Sequence, residues 1–146
     1  MTSRDEAAVC NLGSINLGRH TATGADGTVA LDFEKLARTV RSAVHQLDRV
    51  IDRNYYPIAA ARSSNFRWRP VGLGLMGLQD VFFQMRLPFD APEARALSAR
   101  IAEEVYFHAL SASVELAIMK GRHPAFEETR AARGELQFDA DRKSVV

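Results

Sequence analysis

A stretch of about thirty residues without an internal helix breaker constrains this chain more than any other feature. Asp90-Ala91-Pro92-Glu93 has the form of a helix start, with Asp90 as N-cap, Pro92 in the first turn and Glu93 closing a capping box. Leu97, Ile101, Val105, Ala109, Ala112, Leu116 and Met119 recur at helical spacing and predict the buried side. Gly121 supplies the stop after Lys120. At 1.5 Å per residue this is about 45 Å of helix. Small residues at Ala109, Ser111, Ala112, Ser113 and Ala117 predict close contact with another helix or a sheet. So long a helix in a chain of 146 residues calls for more apolar core than the chain itself can supply.

A second helix is predicted from Phe33 to about Asn54. Asp32 is its N-cap, and Phe33, Leu36, Val40, Val44, Leu47 and Ile51 form its apolar stripe. Ala37, Ala43 and Val50 widen that stripe, and Arg38, Arg41, Asp48 and Arg49 are assigned to the wet side. Pro57 turns Tyr56 away from helical angles, and Tyr55-Tyr56 reads as a packed corner sealing the helix end. Ahead of it, Ala7 to Leu17 suits a short buried strand in which Gly13 allows close backbone approach. Arg19 to Gly27 reads as a loop, and Val29 to Leu31 as a brief strand. Arg62 to Arg69 reads as an irregular basic surface loop whose aromatics tuck inward. After Gly121 a loop leads to Gly134–Asp139, read as an extended end.

Composition excludes several classes. A hydrophobic fraction of 47% with 25% charged residues is globular. No apolar run approaches a membrane span, and no apolar segment follows the charges of the N-terminus as a secretory signal would. A net charge of +1 gives no footprint for nucleic acid, and the short Arg/aromatic run at 62–69 adds little to that. A single cysteine, Cys10, excludes an internal disulfide and fits a reducing, cytoplasmic setting.

The candidate motifs are few. Gly72, Gly74 and Gly77 spell G-x-G-x-x-G, but Phe66 to Pro70 makes a poor preceding strand, and Asp90 and Glu93 begin a helix. The glycines are therefore read as letting a helix start pack tightly, with Leu75, Leu78, Phe82 and Met85 facing inward. Glu104 and His108 are four apart, with no second Glu-x-x-His to complete a di-metal site. His20, His45, His108 and His123 form no ligand cluster, and Ser14 and Ser64 lack a convincing His and Asp. On residue type alone Cys10 is a small buried hydrophobe; redox work would need a partner thiol on another segment.

Four segments together carry a resemblance. Ala8-Val9-Cys10-Asn11-Leu12-Gly13-Ser14-Ile15-Asn16-Leu17 resembles the redox-cysteine strand of ribonucleotide reductase large subunits. Arg69 to Phe83, Leu87-Pro88-Phe89-Asp90 and Gly134-Glu135-Leu136-Gln137-Phe138-Asp139 are similar to later segments of that family, in the same order and spacing. The Arg69-to-Asp90 stretch is more similar to the class I, oxygen-dependent, two-subunit branch than to the adenosylcobalamin-dependent one. The resemblance implies an α/β fold: residues 5–140 would be a fragment of a ten-stranded α/β barrel. Taken alone, the fragment would be mostly α-helical, with one or two short strands near the N-terminus.

By the same resemblance, the intact protein is an enzyme of the ribonucleoside-diphosphate reductase kind, making deoxyribonucleotides by thiyl-radical chemistry. Cys10 matches the cysteine that forms a redox-active disulfide with a cysteine outside this fragment, and Leu12 lines the same wall in a structural role. The partners implied are a ribonucleotide substrate, a radical-generating small subunit carrying a metal site, nucleotide effectors, and thioredoxin or glutaredoxin. An oligomer is implied as well. No cofactor or metal is expected within this fragment. The family's radical cysteine loop and phosphate loop are not found here, so the fragment alone is expected to be inactive. The alternative is a non-catalytic helical interaction module in which Cys10 is a packing residue.

Asp141-Arg142-Lys143-Ser144-Val145-Val146 breaks character with the rest. Written back into codons as GAT CGG AAG AGC GTC GTG, it matches the start of a common sequencing adaptor whose next triplet is a stop. Residues 141–146 are therefore expected to be a non-native tail.

Overall fold

The computed structural model describes residues 4–137 and 139, so the expected non-native tail at 141–146 lies outside the described residues. The element order is β1 (Asn11–Asn16), β2 (Thr21–Thr23), β3 (Val29–Leu31), α1 (Phe33–Arg53), α2 (Ala59–Trp68), β4 (Val71–Met76), α3 (Leu78–Gln84) and α4 (Pro92–Lys120). Single 3-10 turns follow β1 at Leu17–Arg19 and stand near the end at Phe126–Glu128 and Ala131–Arg133. The described part is mixed α/β, mostly helical, and contains no closed barrel.

Two strands far apart in sequence meet first. β1 and β4 pair in parallel, with Asn11 opposite Val71 and Asn16 opposite Met76. Parallel neighbours need a long crossover, and here residues 17–70 supply it with α1 and α2. The strand at Val71–Met76 corrects the expectation of a helix start there: pairing with β1 overrides the weak strand propensity of two glycines. Only Gly77, with φ of 75°, stands at a helix N-cap. Leu75 is exposed instead of inward, whereas Phe82 is fully buried and Leu78 and Met85 pack against the core. β2 and β3 form a small antiparallel hairpin, so Thr21–Thr23 is a strand and not part of a loop.

α1 forms as its pattern dictates. Asp32 accepts a hydrogen bond from the Lys35 amide at 2.8 Å, and the helix ends at Asn54. Tyr56 closes that end by donating its hydroxyl hydrogen to the Ile51 carbonyl at 2.8 Å, but Tyr55 is exposed. Leu36, Val40 and Ile51 are fully buried, and the central cluster joins Ile15, Leu17, Leu31, Leu36, Val40, Val81 and Ile101. Each such side chain contributes about 1.5–3 kcal/mol by leaving water. Val50 is exposed and does not widen the stripe.

α2 replaces the expected irregular loop. Its signal was hidden because its buried face is polar: Ser64 and Asn65 are each 1% exposed, beside Ala61. Asn65 donates from Nδ2 to the Tyr56 hydroxyl, so α2 is tied to the end of α1 by a polar contact without hydrophobic periodicity. The arginines here stack internally, Arg62 over Phe66 and Arg67 over Trp68. α4 runs to Lys120 and stops at Gly121 as expected, but its N-cap is Ala91. The Ala91 amide closes a turn onto the Pro88 carbonyl at 3.1 Å, which carries Asp90 out of capping position. Met119 is exposed where it was expected inside. Near the end, the Asp139 amide bonds to the Leu136 carbonyl at 3.1 Å, so the chain turns there and is not extended; Phe138 lies outside the described residues.

Asp48 is the main correction on α1. It is 8% exposed, not on the wet side, and it anchors an ionic knot. Arg69, at a left-handed φ of 45° between α2 and β4, reaches back to α1. Its Nε donates to Asp48 Oδ1 at 2.8 Å, and its two terminal nitrogens donate to Asp52 Oδ1 and Oδ2 at 2.8 and 3.0 Å. Lys120, the last residue of α4, donates to Asp48 Oδ2 at 2.6 Å. Burial pushes the Asp48 carboxyl up, but the hydrogen bonds and charges of Arg69 and Lys120 outweigh it and hold it below the ordinary carboxylate range. The Arg69 hydrogen bond, against a smaller burial effect, lowers Asp52 likewise. The same contacts raise Arg69 and Lys120, led by Asp52 and Asp48 respectively.

Asp48→Asn should lower unfolding stability by about 3 kcal/mol, because it leaves cations facing a buried neutral group; urea titration reads this. Since both folded carboxyls titrate below their unfolded values, the knot's contribution is complete above the unfolded carboxylate range. It is lost as pH falls through the lowered folded values. Acid titration of wild type against Asp48→Asn should show the difference shrinking below about pH 4.

Candidate functional site

The site is built on the first strand. Side chains alternate along β1: Gly13 and Ile15 face α1, while Leu12, Ser14 and Asn16 face away from it and are exposed. A Cβ placed on Gly13 would sit 3.7 Å from the Leu47 side chain, which fixes the inward direction. On β4, Cβ positions at Gly72 and Gly74 point to the outward face, toward Leu12 and Cys10 and toward Ser14. Cys10 therefore opens a face made of Leu12, Ser14 and the bare backbone of Gly72 and Gly74.

Cys10 is exposed, which corrects the reading of it as a buried packing residue. Its Sγ lies 3.7 Å from the Asn11 carbonyl oxygen, a weak contact. Beside it opens a cavity of about 510 Å³, whose walls include Val9, Asn54, Tyr55, Tyr56 and Asn65. Two buried amide atoms of that wall, Asn11 Nδ2 and Asn65 Oδ1, have no hydrogen-bond partner among the described residues. The far end of the strand is tied by hydrogen bonds. His20 is held at both ring nitrogens, Nδ1 donating to the Asn16 carbonyl at 2.9 Å and Nε2 lying 2.9 Å from the Thr39 hydroxyl. Asn16 Oδ1 accepts from the Gly18 amide at 3.1 Å.

The remaining candidates stay apart. Gly72 and Gly74 lie inside β4 and only Gly77 stands in the turn between β4 and α3, so the glycines are not placed as a phosphate-cradling turn requires. His45 pairs with Glu115 at 3.7 Å, His108 with Glu104 at 3.4 Å, and His123 lies 3.3 Å from the Arg67 carbonyl oxygen. Among the described residues no group of three or more His, Cys, Asp or Glu could hold a metal ion. Ser14 is on the exposed face of β1 and Ser64 is buried in α2. Sequence reasoning missed Arg69 and Asp48, which fix where β4 starts. The Asp48/Asp52 spacing of four was the one available signal.

Apolar side chains are left uncovered on several faces. Leu12 and Met76 stand out from the sheet, and Phe107, Val114 and Ile118 form a stripe on α4. Such surface belongs to a piece of a larger core.

Comparison with known proteins agrees. A family model described as the ribonucleotide reductase barrel domain matches residues 1–144. The chain is 46% identical over 139 residues to the ribonucleoside-diphosphate reductase large chain 2 of Saccharomyces cerevisiae, covering 94% of this chain and 16% of that protein. It is 47% identical over 135 residues to the large subunit of Caenorhabditis elegans, covering 92% of this chain and 17% of that protein. With the large subunit of Trypanosoma brucei brucei it shares 47% over 138 residues, or 94% and 16% of the two chains. The chain belongs to the ribonucleotide reductase large-subunit family, within its barrel domain. It spans about a sixth of the length of the curated relatives it matches.

An exposed thiol is chemically available. Maleimide should modify Cys10 of the 146-residue polypeptide stoichiometrically in native buffer, as read by intact mass; modification only after denaturant would mean that the thiol is buried.

Proposed function

We propose that this chain is one wall of a ribonucleotide reductase active site, in which Cys10 is half of a redox-active pair. The observation that carries the reading is an exposed thiol at the head of a strand whose outward face is cleared by glycines, in a chain of this family. In each turnover two thiols, Cys10 and a cysteine elsewhere in the large subunit, lose two electrons and two protons and join as a disulfide. The ribose hydroxyl leaves as water and the ribonucleotide becomes a deoxyribonucleotide. An external dithiol protein, thioredoxin or glutaredoxin, then returns two electrons and two protons to the pair. Disulfide closure needs the two Cα atoms within about 7 Å, which an outward-facing strand residue allows for a neighbouring segment.

Leu12 makes the apolar wall beside the thiol. The radical that activates the sugar is supplied by a small subunit with its own metal site, and nucleotide effectors act elsewhere on the large subunit. The working assembly is an oligomer in the cytoplasm. Among the described residues no helix is long and apolar enough to cross a membrane, which is compatible with that setting.

Cys10→Ser in the full-length large subunit, assayed with its small subunit and thioredoxin, should give at most about one product per site. Sustained turnover by that variant would sink the assignment.

A further inference from the structure

We propose that Gly72 is a positioning residue for Cys10: by lacking a side chain it seats Leu12 and leaves one flank of the thiol bare, so that Sγ can turn between its thiol and disulfide positions. This rests on the reading of Cys10 as a redox cysteine and adds to it a residue of the neighbouring strand.

The backbone does not demand glycine at this position. Among the described glycines, positive φ occurs at Gly27, Gly77, Gly121 and Gly134, and not at Gly72 or Gly74. Alanine can adopt the strand backbone at both positions and is the better strand former of the two. Packing within the described residues does not demand glycine either. A Cβ at Gly72 would meet Leu12 Cδ2 at 2.6 Å and Cys10 Sγ at 3.5 Å. The first is the tip of a flexible side chain that is 78% exposed, so it can rotate away at little cost to the fold. What alanine would change is local to the thiol. Leu12, paired in register with Gly72, would have to leave its seat, and a methyl group would stand in contact with Sγ.

Disulfide geometry makes that flank matter. The S–S bond is about 2.05 Å and its Cβ–Cβ distance about 3.8 Å, so Sγ must turn to one direction to bond and be free to turn back when reduced. Gly74 provides the internal comparison. Its Cβ would lie 3.0 Å from Ser14 Oγ, and Cys10 is absent from its three nearest atoms.

The test uses the full-length large subunit with its small subunit and thioredoxin, comparing Gly72→Ala, Gly74→Ala and Cys10→Ser. For Gly72→Ala, kcat should fall about tenfold or more while KM stays within about twofold. The Cys10 disulfide should shift its equilibrium against a dithiol buffer by about tenfold, with the thermal midpoint unchanged or raised. Gly74→Ala, whose Cβ would meet Ser14 Oγ and not Cys10 Sγ, should leave the Cys10 redox equilibrium within about twofold of wild type. If Gly72→Ala keeps kcat and the redox equilibrium at wild-type values while Cys10→Ser loses sustained turnover, the Gly72 assignment is overturned and the redox reading stands. If Cys10→Ser itself sustains turnover, the redox reading fails and takes Gly72 with it. Should Gly72→Ala fold poorly, the double variant with Leu12→Ala removes the 2.6 Å contact. A redox equilibrium shifted in the double variant relative to Leu12→Ala alone supports the proposal, and equal equilibria and kcat in those two variants overturn it.

Discussion

Everything in this molecule depends on the parallel pairing of β1 with β4. Those strands are separated by more than fifty residues, and their register places the outward face of the Cys10 strand beside the two strand glycines. Parallel pairing gains nothing until the crossover between the strands is folded, so α1 and α2 must pack before the face exists. α1 does this with its apolar stripe against β1 and α4, and α2 with a buried polar face tied to Tyr56. The thiol's surroundings are thus set from two directions, by α1 packed behind the sheet and by Tyr56 and Asn65 lining the cavity beside Cys10.

The ionic knot at Arg69 fixes the start of the second strand. Arg69 ends α2 in a left-handed conformation that a non-glycine residue adopts at some cost. Its four hydrogen bonds to Asp48 and Asp52 offset that cost and aim Pro70 and β4 toward β1. Lys120 brings the end of α4 to the same carboxylates. One corner therefore ties together α1, α4 and the start of β4.

Much of the architecture was legible in the sequence, and the failures share a cause. α1 and the span of α4 were readable because apolar periodicity and end signals agree at Asp32, Asn54 and Gly121. α2 was unreadable because its buried residues are Ser64 and Asn65, which carry no hydrophobic period. β4 was unreadable because Gly72 and Gly74 are poor strand formers, held in place by a partner strand sixty residues earlier. Asp48 looked solvated because no local rule reveals a distant Arg69 and Lys120. At the proposed site, residue type and the resemblance of its strand single out Cys10. Its exposure could not be read, since the residue type alone points inward.

On the proposed reading the open face is one wall of a larger site, and the apolar stripes and the unpartnered Asn11 and Asn65 amide atoms are where its neighbours would pack. The most direct measurement of the central claim is the fate of the Cys10 thiol after one turnover. Reduced full-length large subunit would be given its small subunit and substrate without external reductant, then alkylated and digested with trypsin. The peptide from Asp5 to Arg19 should then be recovered disulfide-linked to a second cysteine peptide of the same subunit, in amount equal to product formed. Recovery of that peptide with Cys10 alkylated as a free thiol, alongside product, would contradict it.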